Sequence, residues 1–150
     1  MAEGTEPIGL FVTRRARAVS RAFEATLADA GASLPTWLVL ATLAGGMHES
    51  QREIADALGI EGATLTHHLN RMESAGLVTR TRKPGNRRVH DVAMTDAGEG
   101  TFAALLAVVQ AFDAQLRAGF SSRELATLRR LLQRLAFNAT GTRSEPEGGP

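Results

Sequence analysis

Residues 78–95 read VTRTRKPGNRRVHDVAMT. On either side of Pro84-Gly85-Asn86 the residues follow a two-residue period, which is typical of β-strands, and the Pro-Gly-Asn itself is a turn signal. The stretch therefore predicts two short strands, about 77–83 and 88–94, joined by a hairpin turn. Cationic residues crowd around this turn: Arg80, Arg82, Lys83, Arg87 and Arg88. A turn needs Gly or Asn but not Arg, so the arginines indicate a role outside the turn.

The rest of the chain is patterned for helices. Apolar residues recur at helical spacing over about 8–30, and residues 34–44 are nearly all apolar, as in a short buried helix. Two further helices are predicted before the hairpin, over about 50–59 and 62–74, and two long ones after it. Capping boxes, in which a Ser and a Glu satisfy each other's backbone N–H groups, are predicted at Ser50/Glu53 and Ser121/Glu124, and Thr95 is a candidate cap. The predicted fold class is mainly α with a small β-hairpin.

Composition excludes several classes of protein. The chain has no Cys, which excludes a disulfide scaffold, a thiolate zinc site and a cysteine redox sensor. No run of about 18 apolar residues occurs, so no membrane span is predicted. Arg14-Arg15 is not followed by the apolar segment of an export signal. We therefore expect a cytoplasmic protein that makes no membrane contact.

The charges are segregated along the chain. Residues 64–90 hold six Lys and Arg but one acidic residue, whereas the remainder holds eleven basic and fifteen acidic residues. A basic block within an acidic remainder indicates a surface that meets a polyanion. The alternative is an ordinary solvated face, which normally mixes both signs.

The predicted helix over about 62–74 has two unlike faces. Leu65, Leu69 and Met72 share its inner side at helical spacing. The outer side is small, polar and cationic, which suits a helix laid against base edges in a major groove. An ordinary solvated helix face, the alternative, more often carries Glu and Lys.

The sequence disfavours a metal-binding site and an enzymatic function. The neighbouring His67 and His68 point about 100° apart on a helix and rarely share one ion, even with His48 or His90. The chain has no Gly-rich phosphate loop ending in Gly-Lys-Ser/Thr, no Cys nucleophile and no Gly-x-Ser-x-Gly elbow. We therefore predict no metal site, no cofactor and no catalytic residue.

The centre of the chain resembles the MarR (multiple antibiotic resistance regulator) family of bacterial transcription factors. The matching segments are SQREIADALGI, TLTHHLNRMESAGLVTR and NRRVHDVAMTDAG, all within residues 50–98. The resemblance implies a homodimeric winged helix-turn-helix regulator that binds a pseudo-palindromic DNA site. It also implies repression of nearby genes and release of DNA on binding a small, often aromatic or anionic, molecule. One departure is Asn86, which replaces the Asp that usually braces the wing arginine in this family.

A single domain over residues 1–150 is expected from this resemblance. The winged helix-turn-helix would occupy about 34–96, and dimerisation helices would occupy about 8–31 and 97–138. The tail over 141–150, GTRSEPEGGP, is expected to be disordered. Long apolar stripes on the terminal helices favour pairing with a second copy.

The expected DNA contacts fall in three groups. Ser50 and Gln51 would meet phosphates through backbone N–H groups at a helix start. The outer face of the 62–74 helix would meet bases, with Asn70 or His67 as the best candidates for base edges. The wing would neutralise phosphates and insert arginine into a minor groove. The full set is Ser50, Gln51, Thr64, Thr66, His67, Asn70, Arg71, Arg80, Arg82, Lys83, Arg87 and Arg88.

An effector site is predicted around Phe11, Arg15 and Trp37. Arg15 falls within the apolar stripe of the first helix, where a cation needs an anion, a partner chain or a route to water. A planar anionic ligand would stack on the two aromatic rings while Arg15 binds its carboxylate. The alternative is structural: Arg15 reaches water or pairs with an acid across the dimer.

The sequence therefore predicts a dimeric transcriptional repressor that a small ligand releases from double-stranded DNA. One alternative is a ligand-independent winged-helix activator or architectural factor. Another is a helical adaptor without a DNA role, which leaves the basic block unexplained.

Overall fold

The computed structural model describes residues 6–46, 50–83 and 85–141. Within these ranges the chain forms a mainly helical fold with one antiparallel hairpin, which confirms the predicted fold class. No single described helix is long and apolar enough to cross a membrane; α1 and α2 pass that test only as a pair bent by 82°. The elements are α1 Ile8–Asp29, α2 Leu34–Ala44, α3 Gln51–Leu58, α4 Gly62–Ser74, β1 Val78–Lys83, β2 Asn86–Met94, α5 Asp96–Arg117 and α6 Ser122–Thr140.

The chain divides into two compact units, Met1–Phe112 and Asp113–Pro150. The first holds α1 to α4, the hairpin and most of α5, and the second holds the end of α5 and all of α6. The predicted single domain over residues 1–150 stays a prediction. The predicted disordered tail lies, apart from Gly141, outside the described residues.

The core of the first unit collects one or two apolar side chains from each element. The predicted inner side of α4 is confirmed, since Leu65, Leu69 and Met72 are buried. Burying a side chain of this size contributes about 1.5–3 kcal/mol, so this one helix face is a major stabiliser. The remaining buried side chains are Leu27, Val39, Leu40, Ile54, Ala55, Val78, Val92 and Leu105.

Burial along α1 changes from one end to the other. Leu27 is buried near the C-terminal end and Phe23 packs against the core, with its ring 5.3 Å from that of Phe112. Nearer the N-terminus, Ile8 is 60% exposed and Val19 is 44% exposed. The apolar stripe of α1 is therefore longer than the core that it covers.

The hairpin begins and ends close to the predicted residues, but its turn is shorter. Lys83 pairs with Asn86, so Asn86 belongs to β2 and not to the turn as predicted. Gly85 has φ +85°, a conformation that glycine adopts without steric cost. The strand register shifts between Lys83, which pairs with Asn86, and Arg82, which pairs with His90. Residues 87–89 of β2 therefore have no partner residue on β1 and form a bulge. Such a bulge increases the local twist of the hairpin.

Thr95 joins the hairpin to α5. Its hydroxyl accepts from the backbone N–H of Gly98 at 3.0 Å, which confirms the predicted cap, and donates to the Gly76 carbonyl at 2.5 Å. Its own backbone N–H donates to the Leu77 carbonyl. Gly98 lies so close to the same carbonyl that a Cβ atom would overlap the Leu77 oxygen. Only glycine fits this crossing.

The second unit is dominated by α6. Its predicted capping box is present, because the Ser121 hydroxyl accepts from the Glu124 N–H and the Glu124 carboxylate accepts from the Ser121 N–H. The backbone N–H of Ser121, together with its hydroxyl, lowers the pKa of Glu124. None of the residues of α6 is buried, and several of its large apolar side chains are exposed.

Candidate nucleic-acid interface

A capping box sets the start of α3. The Ser50 hydroxyl accepts from the Glu53 N–H at 3.2 Å, and the Glu53 carboxylate accepts from the Ser50 N–H at 3.0 Å. This confirms the predicted box, but it engages the Ser50 N–H that was expected to be free for a phosphate. Ser50 also forms an isolated antiparallel bridge with Asp91, so the start of α3 is joined to β2.

A side-chain contact joins α3 to α4. The Gln51 amide donates to the Thr66 hydroxyl at 2.5 Å, and that hydroxyl donates to the Gly62 carbonyl at 2.9 Å. Both residues were predicted as DNA contacts. In this structure the single Thr66 hydroxyl hydrogen is already used, and the pair bridges α3 and α4.

Four sides can be distinguished on α4. The inner side is the core described above, and Thr64 and His67 are exposed on the outer side. Asn70 lies at one edge of the outer side, next to the hairpin, where it meets Arg80. Arg71 lies at the opposite edge and lines a cleft with His68. The outer side carries no acidic residue, as a helix laid against DNA requires.

Arg80 connects the hairpin to α4. Its Nη2 lies 2.6 Å from Glu73 Oε2 and 2.6 Å from Asn70 Oδ1, and its Nε lies 3.2 Å from Glu73 Oε2. The Arg80 side chain is only 17% exposed. Arg80 was predicted to neutralise phosphate, whereas the structure engages its guanidinium with α4. Because Arg80 holds the Asn70 oxygen, the Asn70 amide group has its N–H donors available for a base.

Sequence reasoning did not assign a role to Glu73, which takes part in this network. The segment Glu73-Ser74-Ala75-Gly76 contained a signal for this role. A turn at Gly76 reverses the chain and brings the end of α4 close to β1. Gly76 has φ +74°, which allows that reversal. The acidic residue in the basic block is therefore paired with a cation of the same block.

The remaining predicted wing residues lie on the hairpin beyond Arg80. Arg82 is exposed on β1 and makes no ion pair among the described residues. Lys83 ends β1, and Arg87 and Arg88 lie in the bulge of β2, while their side chains fall outside the described part of the structure. The backbone thus brings the predicted wing cations to the distal half of one hairpin.

The predicted effector residues Phe11, Arg15 and Trp37 are divided between two separate contacts. The guanidinium carbon of Arg15 lies 5.1 Å from the centre of the Phe11 ring, a cation–π contact one turn apart on α1. Trp37 instead stacks on Phe102 of α5, with ring centres 5.6 Å apart and planes at 8°. Among the described residues, no ring stacking or cation–π contact joins Trp37 to the Phe11–Arg15 pair.

Metal binding has no geometric support in the described ranges. No group of three or more His, Asp or Glu residues there could hold a metal ion. His67 and His68 lie edge to face, with ring centres 5.8 Å apart. His67 is exposed and His68 is half-buried, as expected for neighbours on a helix.

Comparisons with known proteins agree with this geometry. Residues 33–90 match the model of the MarR family. The chain is similar to the transcriptional repressor CouR bound to a 23-mer DNA duplex, with 29% identity, a TM-score of 0.78, and coverage of 91% of this chain and 96% of that one. The structure of CouR from Rhodococcus jostii RHA1 bound to p-coumaroyl-CoA matches with 27% identity, a TM-score of 0.70 and the same coverage.

A third structure is a MarR-family transcriptional regulator from Rhodococcus sp. RHA1. It shares 28% identity and a TM-score of 0.70, and the match covers 87% of this chain and 93% of that one. Each of these matches covers 87% or more of this chain. With its helix-turn-helix, its basic hairpin and these matches, the chain is similar to MarR-family regulators, and the match to the family model spans residues 33–90.

Proposed function

We propose that this protein is a homodimeric transcriptional repressor that binds a pseudo-palindromic DNA site and is released by a small anionic ligand. The observation that carries the proposal is that the outer side of α4, which has no acidic residue, lies beside a basic hairpin. Arg80 of the hairpin bonds to α4 and holds the two elements together. A surface of this charge and shape meets a polyanion, and an exposed helix beside it fits a major groove. CouR, a similar protein, has been seen on a DNA duplex.

Base reading falls to α4 in this proposal. Asn70 presents N–H donors because its oxygen is held by Arg80, and His67 is exposed one turn earlier. Replacing a residue that reads a base costs about 1–3 kcal/mol and relaxes selectivity at one position. Full affinity and selectivity in both Asn70→Ala and His67→Ala would exclude this side of α4 as the reader.

Dimer formation is supported by apolar side chains that the chain leaves exposed. On α1 these include Ile8, Leu10 and Val19, and on α6 they include Leu128 and Leu132. Exposed apolar surface at helical spacing is typical of a face that a second copy covers. A two-fold dimer would set two α4 helices against half-sites about one DNA turn apart.

Release by a ligand is supported by a similar protein and by one exposed side-chain pair on α1. CouR has been seen with p-coumaroyl-CoA, an organic anion. In this chain the exposed Phe11–Arg15 pair offers a ring and a guanidinium to such a molecule. Isothermal titration calorimetry with aromatic carboxylates in wild type and Arg15→Ala tests this pair, and unchanged binding in the variant would make Arg15 structural.

The deciding experiment is a gel shift with the DNA upstream of the protein's own gene at two salt concentrations. A specific shift that weakens with salt is expected, because binding releases counterions from phosphates. No shift would favour a helical adaptor instead. A shift that no candidate ligand reverses would favour a ligand-independent activator or architectural factor.

A further inference from the structure

A cleft of about 520 Å³ opens in the first unit between the turn that joins α1 to α2 and the C-terminal part of α4. Ser33 and Thr36 line it at the start of α2, His68 and Arg71 line it from α4, and Thr101 lines it from α5. This volume lies within the range of about 300–1,000 Å³ that small-molecule sites occupy. The proposed DNA interface assigns no use to this cleft.

The cleft is cationic on the side formed by α4. Arg71 is exposed and makes no ion pair among the described residues, and no Asp or Glu is among the residues that line the cleft. A guanidinium with no competing carboxylate favours an anion, and its planar fork fits a carboxylate with two hydrogen bonds. The half-buried His68 adds a ring nitrogen one turn earlier on α4.

The start of α2 supplies further donors. The Ser33 hydroxyl accepts from the Thr36 N–H at 3.3 Å and lies 2.9 Å from the Thr36 hydroxyl. Whichever of the two hydroxyls donates to the other, one O–H hydrogen remains for a ligand. This hydroxyl hydrogen and the Arg71 guanidinium are therefore two separate donors for an anion.

The other walls of the cleft are aliphatic. Met72 and Leu77 lie along the side formed by α4 and β1, and Ala28, Ala32 and Ala75 complete these walls. No Phe or Trp lines the cleft. Such walls fit a flexible hydrocarbon body beside the charged group rather than a flat aromatic ring.

We propose that this cleft binds a small aliphatic carboxylate, with Arg71 as the ion partner and the Ser33–Thr36 pair as hydroxyl donor. Arg71 follows Asn70 on α4, so a ligand that holds the guanidinium in the cleft withdraws it from the outer side of the helix. The ligand therefore weakens DNA binding. The binding step stands by itself, whereas its effect on DNA rests on the proposed function.

The test uses hexanoate as the probe and the full-length protein. Amide and arginine side-chain NMR signals are followed during titration with hexanoate and, separately, with hexanamide, its neutral isostere. Hexanoate is expected to shift the signals of Ser33, Thr36 and Arg71, and hexanamide is expected to leave them in place. Arg71→Gln is expected to weaken hexanoate binding about tenfold or more, because a charged hydrogen-bond partner is lost.

One control variant locates the site. Arg130→Gln removes an exposed arginine of α6 and is expected to bind hexanoate as wild type does. Circular dichroism establishes that each variant is folded. The proposal is overturned if hexanoate shifts none of the cleft signals, if hexanamide binds equally well, or if Arg71→Gln binds unchanged.

The DNA arm is measured separately by fluorescence anisotropy on the operator. Hexanoate is expected to weaken DNA binding by wild type and to leave the residual affinity of Arg71→Gln unchanged. A protein that binds hexanoate but no DNA at all would overturn the proposed function and leave the cleft site standing. A protein that binds DNA with the same affinity at saturating hexanoate would overturn the regulatory step.

Discussion

Arg80 illustrates how one side chain at a junction sets the geometry of an interface. It lies on β1, yet its guanidinium bonds two residues of α4, and the Arg80 backbone N–H donates to Glu73 Oε1 at 3.3 Å. These contacts join β1 to α4. Because its side chain is largely covered, Arg80 acts through Asn70 and Glu73 as a positioning residue.

We expect Arg80→Ala to lower the free energy of unfolding by about 1–3 kcal/mol, because hydrogen bonds to charged groups are lost at a half-buried site. DNA affinity should fall with it, since Asn70 loses its orientation. Arg80→Lys should recover only part of both, because an ammonium cannot reproduce the guanidinium fork. Urea unfolding and anisotropy measure the two effects. Equal DNA affinity in Arg80→Ala and wild type would contradict the positioning role.

Gly98 permits the close approach of α5 to Leu77, which lies between α4 and β1. We expect Gly98→Ala to destabilise the protein by about 1–3 kcal/mol, because its Cβ would overlap the Leu77 carbonyl and force the backbones apart. Gly100→Ala is the matched control on the same helix, where nothing lies within 4 Å of the added atom. That control should stabilise the protein by up to about 1 kcal/mol, the helix propensity difference. Equal stabilities of the two variants in urea would refute the crowding argument.

At the scale of elements, the hairpin combines a rigid base with a cationic distal half. Arg80 fixes the base to α4, whereas Arg82 is exposed further out and residues 87–89 form the bulge of β2. A bulge re-aims the strand that carries it. The bulge and the cationic residues beyond Arg80 therefore occupy the same distal half of the hairpin.

We expect the triple variant Arg82→Ala/Arg87→Ala/Arg88→Ala to bind DNA more weakly and with a smaller dependence on salt. Each phosphate contact removed lowers the slope of log K against log salt by about one unit. The matched control removes the same charge from α6, as Arg123→Ala/Arg129→Ala/Arg130→Ala, with the oligomeric state checked by light scattering. If both triple variants lose the same affinity, net charge rather than the wing determines binding.

At the scale of the whole molecule, exposed apolar side chains indicate a second copy. Leu128 and Leu132 lie one turn apart on α6 and are 46% and 41% exposed. Phe120, which directly precedes the Ser121 cap of α6, is 53% exposed. Burial of apolar surface against a partner contributes about 25 cal/mol of free energy for each Å² removed from water. Burial between copies would recover that free energy.

We expect Leu128→Asp/Leu132→Asp to be monomeric in light scattering at concentrations where wild type is a dimer. Its operator affinity should fall steeply, because one α4 alone reaches only one half-site. Ala126→Asp/Gln133→Asp is the control, with the same two added charges on the opposite side of α6. A Leu128→Asp/Leu132→Asp protein that remains dimeric would show that α6 does not form the interface through this face.

Local patterns in the sequence predicted most of the fold. Helix spacing identified the inner side of α4, and the capping boxes at Ser50 and Ser121 were read directly from Ser-x-x-Glu. These features act within one or two helical turns, so neighbouring residues contain the information needed. The hairpin turn was misread at Asn86, because pairing in β2 depends on register with β1 and not on local turn preference.

Only the tertiary structure decided which distant side chains meet. It engages Arg80 with Glu73 and Asn70, and it stacks Trp37 on Phe102 rather than beside Arg15. It also brings Arg71 to a cleft at the start of α2. The sequence by itself determined the order of the elements and the cationic character of the hairpin, because propensity, periodicity and charge belong to the residues themselves. Side-chain partners depend on how the elements pack against one another, and packing is a property of the folded chain.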